Sequence, residues 1–201
     1  ARANPQSAQP LIALTRLYAS TDVKRAQQYA KDARKLAPND PSIALLLGSL
    51  SVRAHEYPAA LGLLQEGMRS GAGTLEASLD LAVAQFAAGK TNEAAATFAD
   101  LAAKSSGAIQ ETAKEDLVLT GNAAATADAR KSLAEKRLKA DAQDVLGLIA
   151  LARSHAEQNE FAKAAELYER AVAEAPSFWP GRKQLATLYA DHLKDEKSAY
   201  T

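Results

Sequence analysis

An all-α fold of repeated antiparallel helix pairs is predicted by three features of this 201-residue sequence: a 34-residue period in small residues, a matching ladder of leucines, and breaks that split each period into two amphipathic stretches. Ala26, Ala60 and Ala94 stand 34 apart, Ala164 follows after 70, which is two periods plus two residues, and Ser198 after another 34. The leucines Leu47, Leu81, Leu117, Leu151 and Leu185 step by 34, 36, 34 and 34. Two extra residues therefore precede Leu117, and the turn around Ser105, Ser106 and Gly107 is the simplest place for them.

The period divides the chain, 1–201, into repeats starting near Ser7, Pro41, Leu75, Glu111, Val145 and Trp179. Within a repeat, two stretches of about a dozen residues with helical periodicity flank a break: Thr21-Asp22, His55 to Pro58, Gly89 to Asn92, and Asn159 to Phe161. Helices joined by so short a turn must run antiparallel. Gly48, Ala60, Ala82, Ala94, Ala152 and Ala164 let helix backbones approach, while Leu64, Phe98 and Tyr168 fill the space beside them. Pro38 and Pro176 cannot continue a helix and mark two ends. The fourth repeat is degenerate: its break at Gly121-Asn122 comes early, Val118 stands where its neighbours have a small residue, and Arg130 stands where they have Ala. Either its helix register shifts or the array bends there. The sixth repeat is cut short, so the native protein is expected to continue beyond Thr201, because an open repeat end leaves an apolar face uncovered.

Composition excludes several function classes. The chain is 47% apolar and 24% charged, the ordinary globular range. Lys plus Arg equals Asp plus Glu at 24 each, so no global field recruits nucleic acid or an acidic membrane surface. With no cysteine, disulfides, thiolate zinc sites and a cysteine nucleophile are excluded, and cytoplasm and periplasm are equally compatible. No apolar run approaches the roughly 18 residues that span a bilayer.

Catalytic patterns are missing too. His55, His155 and His192 fall in different repeats, with no second ligand at metal spacing, so no metal or cofactor is expected. His155 reads as a packed, hydrogen-bonded histidine. Ser70 to Gly73, SGAG, resembles a phosphate loop but precedes no strand-borne motif and reads as a helix terminus. Arg130, Lys131, Lys136, Arg137 and Lys139 read as a solvated helix surface with pairings such as Glu135 to Lys139. Trp179 reads as packed at the head of its repeat. No enzymatic activity is expected of this chain.

The period of 34, a leucine followed by a small residue in the first helix, alanine then an aromatic or aliphatic residue in the second, and a closing proline together resemble the tetratricopeptide repeat. Alanine-rich repeats with Leu-Ala pairs look like bacterial arrays of that family, including those attached to secretion and polysaccharide-export machines. The resemblance implies an α-solenoid of about five and a half repeats, wound into a right-handed superhelix, that binds a protein or peptide partner in a groove lined by the first helix of each repeat. It implies that the second, fifth, ninth, twelfth and thirteenth positions of each repeat face the groove. Those include Leu11, Tyr18, Leu45, Val52, Arg53, Leu79, Phe86 and Arg153, an apolar double row that turns polar at Ile149, Arg153, Ala156 and Glu157. The basic clamp by which some relatives hold chaperone tails is absent, its places being taken by Leu11, Thr15, Leu46, Glu76 and Asp80. Two alternatives stand beside the scaffold: a homo-oligomerisation or spacer segment, and a helper domain of an enzyme whose chemistry lies outside these residues.

Overall fold

The computed structural model describes residues 7–121 and 125–194. Among these there are eleven α-helices and no strand, the all-α architecture of antiparallel pairs expected of a solenoid. Ser198 and Asn122 lie outside the described residues. The helices divide between two compact units, Ala1–Ala84 and Gln85–Thr201.

In the first unit α1 (Gln9–Tyr18), α2 (Val23–Leu36), α3 (Pro41–Arg53) and α4 (Tyr57–Arg69) pack each on the next. Local chemistry sets their starts. Asp22 accepts from the amide of Arg25 at 3.0 Å, and Asp40 accepts from that of Ser42 at 2.9 Å just before Pro41, whose missing N–H is no loss in a first turn. Small residues then allow close approach: Ala26 and Ala30 pack with Leu47 and Leu50, while Ala60 and Leu64 pack with Leu45 and Ala77. Gly48 shows how tight this is, since a Cβ there would lie 2.7 Å from Leu64 Cγ. A rim pair from Arg34 to Glu66, at 2.6 Å, ties α2 to α4.

The second unit holds the last turn of α5 (Leu75–Ala87), then α6 (Thr91–Lys104), α7 (Gly107–Thr120), α8 (Ala127–Ala140), α9 (Val145–Glu157), α10 (Phe161–Glu174) and α11 (Trp179–Thr187), the last running into a π-helical turn, Leu188–Leu193. Here the fourth repeat departs from the ladder. Only Ser105 and Ser106 separate α6 from α7, whereas α8 begins at Ala127 although α7 ends at Thr120. The two extra residues therefore lie between α7 and α8, not at Ser105 to Gly107. Helix α7 is drawn back by about one turn, and the buried small residue is Ala113, while Val118 is only half buried. These helix bounds carry a register shift in the fourth repeat.

Pairing in the unit changes accordingly. Helix α7 packs chiefly on α6 and α8 chiefly on α9, with α7 also touching α9. The inner stripe of α8 is Arg130, Ala134 and Arg137, spaced i, i+4, i+7, where α10 places Ala164, Tyr168 and Ala171. Arg130 and Arg137 thus do not belong to a solvated surface. The Arg130 guanidinium donates twice to Glu157, at 3.1 and 3.0 Å. Arg137 bridges Asp116 on α7 and Asp144 on the α8–α9 connection, the latter at 2.6 Å. Asp144 also accepts from the Gly147 amide and caps α9.

Candidate functional site

The fifth, ninth, twelfth and thirteenth positions of α9, Ile149, Arg153, Ala156 and Glu157, line one wall of a cavity of about 410 Å³. Helical spacing puts them on one face. Tyr168 closes the floor from α10, and Phe178, Pro180 and Gln184 supply the facing wall from the α10–α11 turn and α11. Arg153 is held: its Nη1 donates to the Thr120 carbonyl at 3.0 Å, which satisfies the end of α7, and its guanidinium also donates to the Tyr168 hydroxyl. Burial pushes the Tyr168 phenol up, against the pull of Arg153. Glu157 meets Arg130 at the rim. The cavity therefore offers an apolar wall, an oriented guanidinium and the exposed Gln184 amide, without a net charge of either sign.

The other expected groove residues have several fates. Leu45, 7% exposed, is a core residue packed with Ala60 and Leu64, and Phe86, fully buried, stacks on Phe178 with ring centroids 5.4 Å apart. Neither is open to a partner in this arrangement: Leu45 is a packing residue, and Phe86 is covered by Phe178. Leu11 and Val52 are half buried against the clusters around Ile12 and Leu45. Leu79 is half buried and Arg53 exposed. Arg53 faces Asp80, which is hydrogen bonded to Ser49 and whose carboxyl is pushed up by burial. Tyr18 stacks on Tyr29 at 5.8 Å, and Arg25 lies 4.1 Å over its ring. Trp179 is 61% exposed rather than packed, its edge resting on Gly89.

The chemistry elsewhere is structural. His155 Nδ1 pairs with Glu160, and with Lys163 this draws the Glu160 carboxyl down to about 2, Lys163 contributing most. SGAG ends α4, with Gly71 at φ +77°. Among the described residues no cluster of three or more His, Asp or Glu is arranged to hold a metal ion, and no helix is long and apolar enough to cross a membrane. The buried Asp116–Arg137–Asp144 triad was not anticipated. The only sequence signal for it is the arginine stripe of α8.

Residues 145–178, helices α9 and α10 with the turn after them, match the family model of the tetratricopeptide repeat. No curated protein matches the chain. Among solved structures, the tetratricopeptide domain of P58(IPK) is similar at a TM-score of 0.53 and 17% identity, over 96% of this chain and 57% of that one. YrrB, described as a tetratricopeptide protein with an unusual peptide-binding site, is similar at 0.49 and 16%, covering 89% and 91%. A tetratricopeptide protein of Parabacteroides merdae is similar at 0.48 and 16%, covering 97% and 77%. At these identities the likeness to P58(IPK) is one of fold. With one matched repeat at residues 145–178 and the 34-residue ladder on either side of it, the chain is similar to the tetratricopeptide-repeat family.

Proposed function

We propose that the chain is a non-catalytic scaffold that binds a segment of a partner protein on its second unit, with the α9–α11 cavity as the seat. The observation that carries this reading is the cavity itself: four groove positions of α9 stand together over about 410 Å³ of open space. Pockets of this size, mostly apolar with a few placed polar groups, suit one or two side chains of a peptide. Half-buried Ala156 and Pro180 would meet an apolar side chain, with Ile149 and Phe178, almost fully buried, backing them. Arg153 and Gln184 would take backbone carbonyls or a side-chain acceptor beside it. Within the first unit, taken by itself, Leu11, Tyr18, Val52, Arg53 and Leu79 would offer contacts of their own, the first three as edges of side chains already committed to packing.

The test is selection of peptides from a displayed random library on the chain, followed by Ala156→Trp. Half-buried Ala156 lines the cavity, and an indole there fills it. Selected peptides should lose at least about tenfold in affinity, roughly 1.4 kcal/mol, and keep it with Ala13→Trp, an exposed control on α1. Peptides that bind both variants equally would remove the cavity as the seat.

A further inference from the structure

We propose that residues 177–180 form an autoinhibitory latch, in which the chain's own Phe178 occupies an aromatic seat on α5 and narrows the groove of the second unit. The contact joins parts of the chain some ninety residues apart, both in the Gln85–Thr201 unit. The Phe178 ring stacks on Phe86 with planes 27° apart, and both side chains are almost fully buried. The Ser177 hydroxyl donates to the Ala87 carbonyl at 3.2 Å, a group at the end of α5 that helical bonding leaves open. Gly89 completes the fit: it sits at φ +79°, and a Cβ there would lie 2.7 Å from Trp179 Cδ1 and 3.1 Å from Pro180 Cδ. Only glycine meets both demands.

Two features make this a latch and not ordinary core. Phe86 occupies the twelfth position of its repeat, a groove position, so the ring covering it stands where a partner's side chain would. The contact is also narrow: Ser177 and Trp179 are exposed, and what they touch is a helix end. Helices α10 and α11 also pack elsewhere, α10 on α9 and α11 on α10, contacts that the latch itself does not make. Lifting it exposes Phe86 and opens the cavity wall made by Phe178 and Pro180. The segment that replaces Phe178 must bring an aromatic or branched aliphatic side chain. This inference rests on the peptide-binding reading above for its purpose, but not for its test.

The chain has no cysteine, so Lys90→Cys and Arg182→Cys, both exposed, accept spin labels across the latch without competing sites. Pulsed electron-spin distance measurement on the labelled parent should give one narrow distribution. Phe178→Ala should lengthen and broaden it severalfold in width while the circular-dichroism signal of the helices persists. If that variant loses its helices, the Ser177→Ala, Trp179→Ala pair decides, since it removes only the hydrogen bond and the exposed ring. A broad distribution in the parent, an unchanged one in the variants, or separation that appears only with loss of helix overturns the latch. The readout needs no partner, so its failure leaves the peptide-binding proposal standing, and failed peptide selection leaves the latch standing.

Discussion

Replacing Arg137 by Met tests whether the ionic wedge of the second unit holds α7 and α8 in place. The substitution keeps the unbranched stem and removes the guanidinium from Asp116, whose side chain is 2% exposed, and Asp144, whose side chain is 14% exposed. Burial pushes the Asp116 carboxyl up to about 6 even with Arg137 beside it. Without that partner the carboxyl is pushed further up toward its protonated form, which costs at most about 1.4 kcal/mol at neutral pH. Asp144 keeps its cap on α9 but loses its charge-assisted bonds, roughly 1.5–3 kcal/mol. The sum, about 3–4 kcal/mol, lies within the range found when one partner of a buried pair is removed. The double variant Arg137→Met, Asp116→Leu should recover most of that loss, because it removes the penalised carboxyl and buries an apolar side chain in its place, roughly 1.5–3 kcal/mol, which offsets the Asp144 loss that remains. Urea unfolding followed by circular dichroism at pH 7 measures both. A loss under about 1 kcal/mol in the single variant, or a double variant no better than the single, would refute the reasoning.

The Asp116 carboxyl also predicts a pH dependence. Its folded value is raised, so the native state binds the extra proton: stability is gained as pH falls from 6 to 4 and lost as pH rises through 6, by at most roughly 3 kcal/mol. The difference between parent and Asp116→Asn in urea titrations across that window should show it, and parallel curves would count against it. Gly48→Ala should destabilise by about 1–2 kcal/mol despite its better helix propensity, because the new methyl meets Leu64 Cγ at 2.7 Å; a stabilised variant would mean Leu64 yields freely. Asp40→Ala removes the cap of α3 and should cost about 1 kcal/mol, read as faster amide exchange in the first turn of α3.

The helix starts at Pro41, Leu75, Val145 and Trp179 were readable because each coincides with a local signal. Asp40 before Pro41 and Asp144 before Val145 announce a cap, and the small residue seven places on marks the close approach. The start of α7 was not readable by counting. The leucine ladder runs through Leu117, yet packing selects Ala113, since a small residue is needed where α7 meets its neighbour and Val118 is too large. The stripe of Arg130, Ala134 and Arg137 has helical spacing, but a rule that buries apolar residues assigns that face to water. Its carboxylate partners lie 21 residues before Arg137, 7 after it, and 27 after Arg130. Of the site, the α9 wall was legible because one helix carries all four residues. Burial of Phe86 was not, since its partner Phe178 belongs to a distant turn and no periodicity encodes such a contact.

The ionic wedge and the latch can be traced to the same repeat. An ordinary second helix inserts bulky apolar side chains between its own first helix and the next, as α10 does with Leu167 and Tyr168. Helix α8 buries only Ala134 among its apolar residues, and its arginines reach past it to carboxylates on either side. With so little volume between them, α7 and α9 touch directly, and Arg153 of α9 donates to the Thr120 carbonyl at the end of α7. If that thin step brings the later helices of the unit nearer its earlier ones, the wedge and the reach of residues 177–180 to Phe86 and Gly89 share one cause. Apolar replacement of the wedge, as in Arg137→Met, Asp116→Leu, should leave stability near the parent's while changing the latch distance, and an unaltered distance would separate the two features.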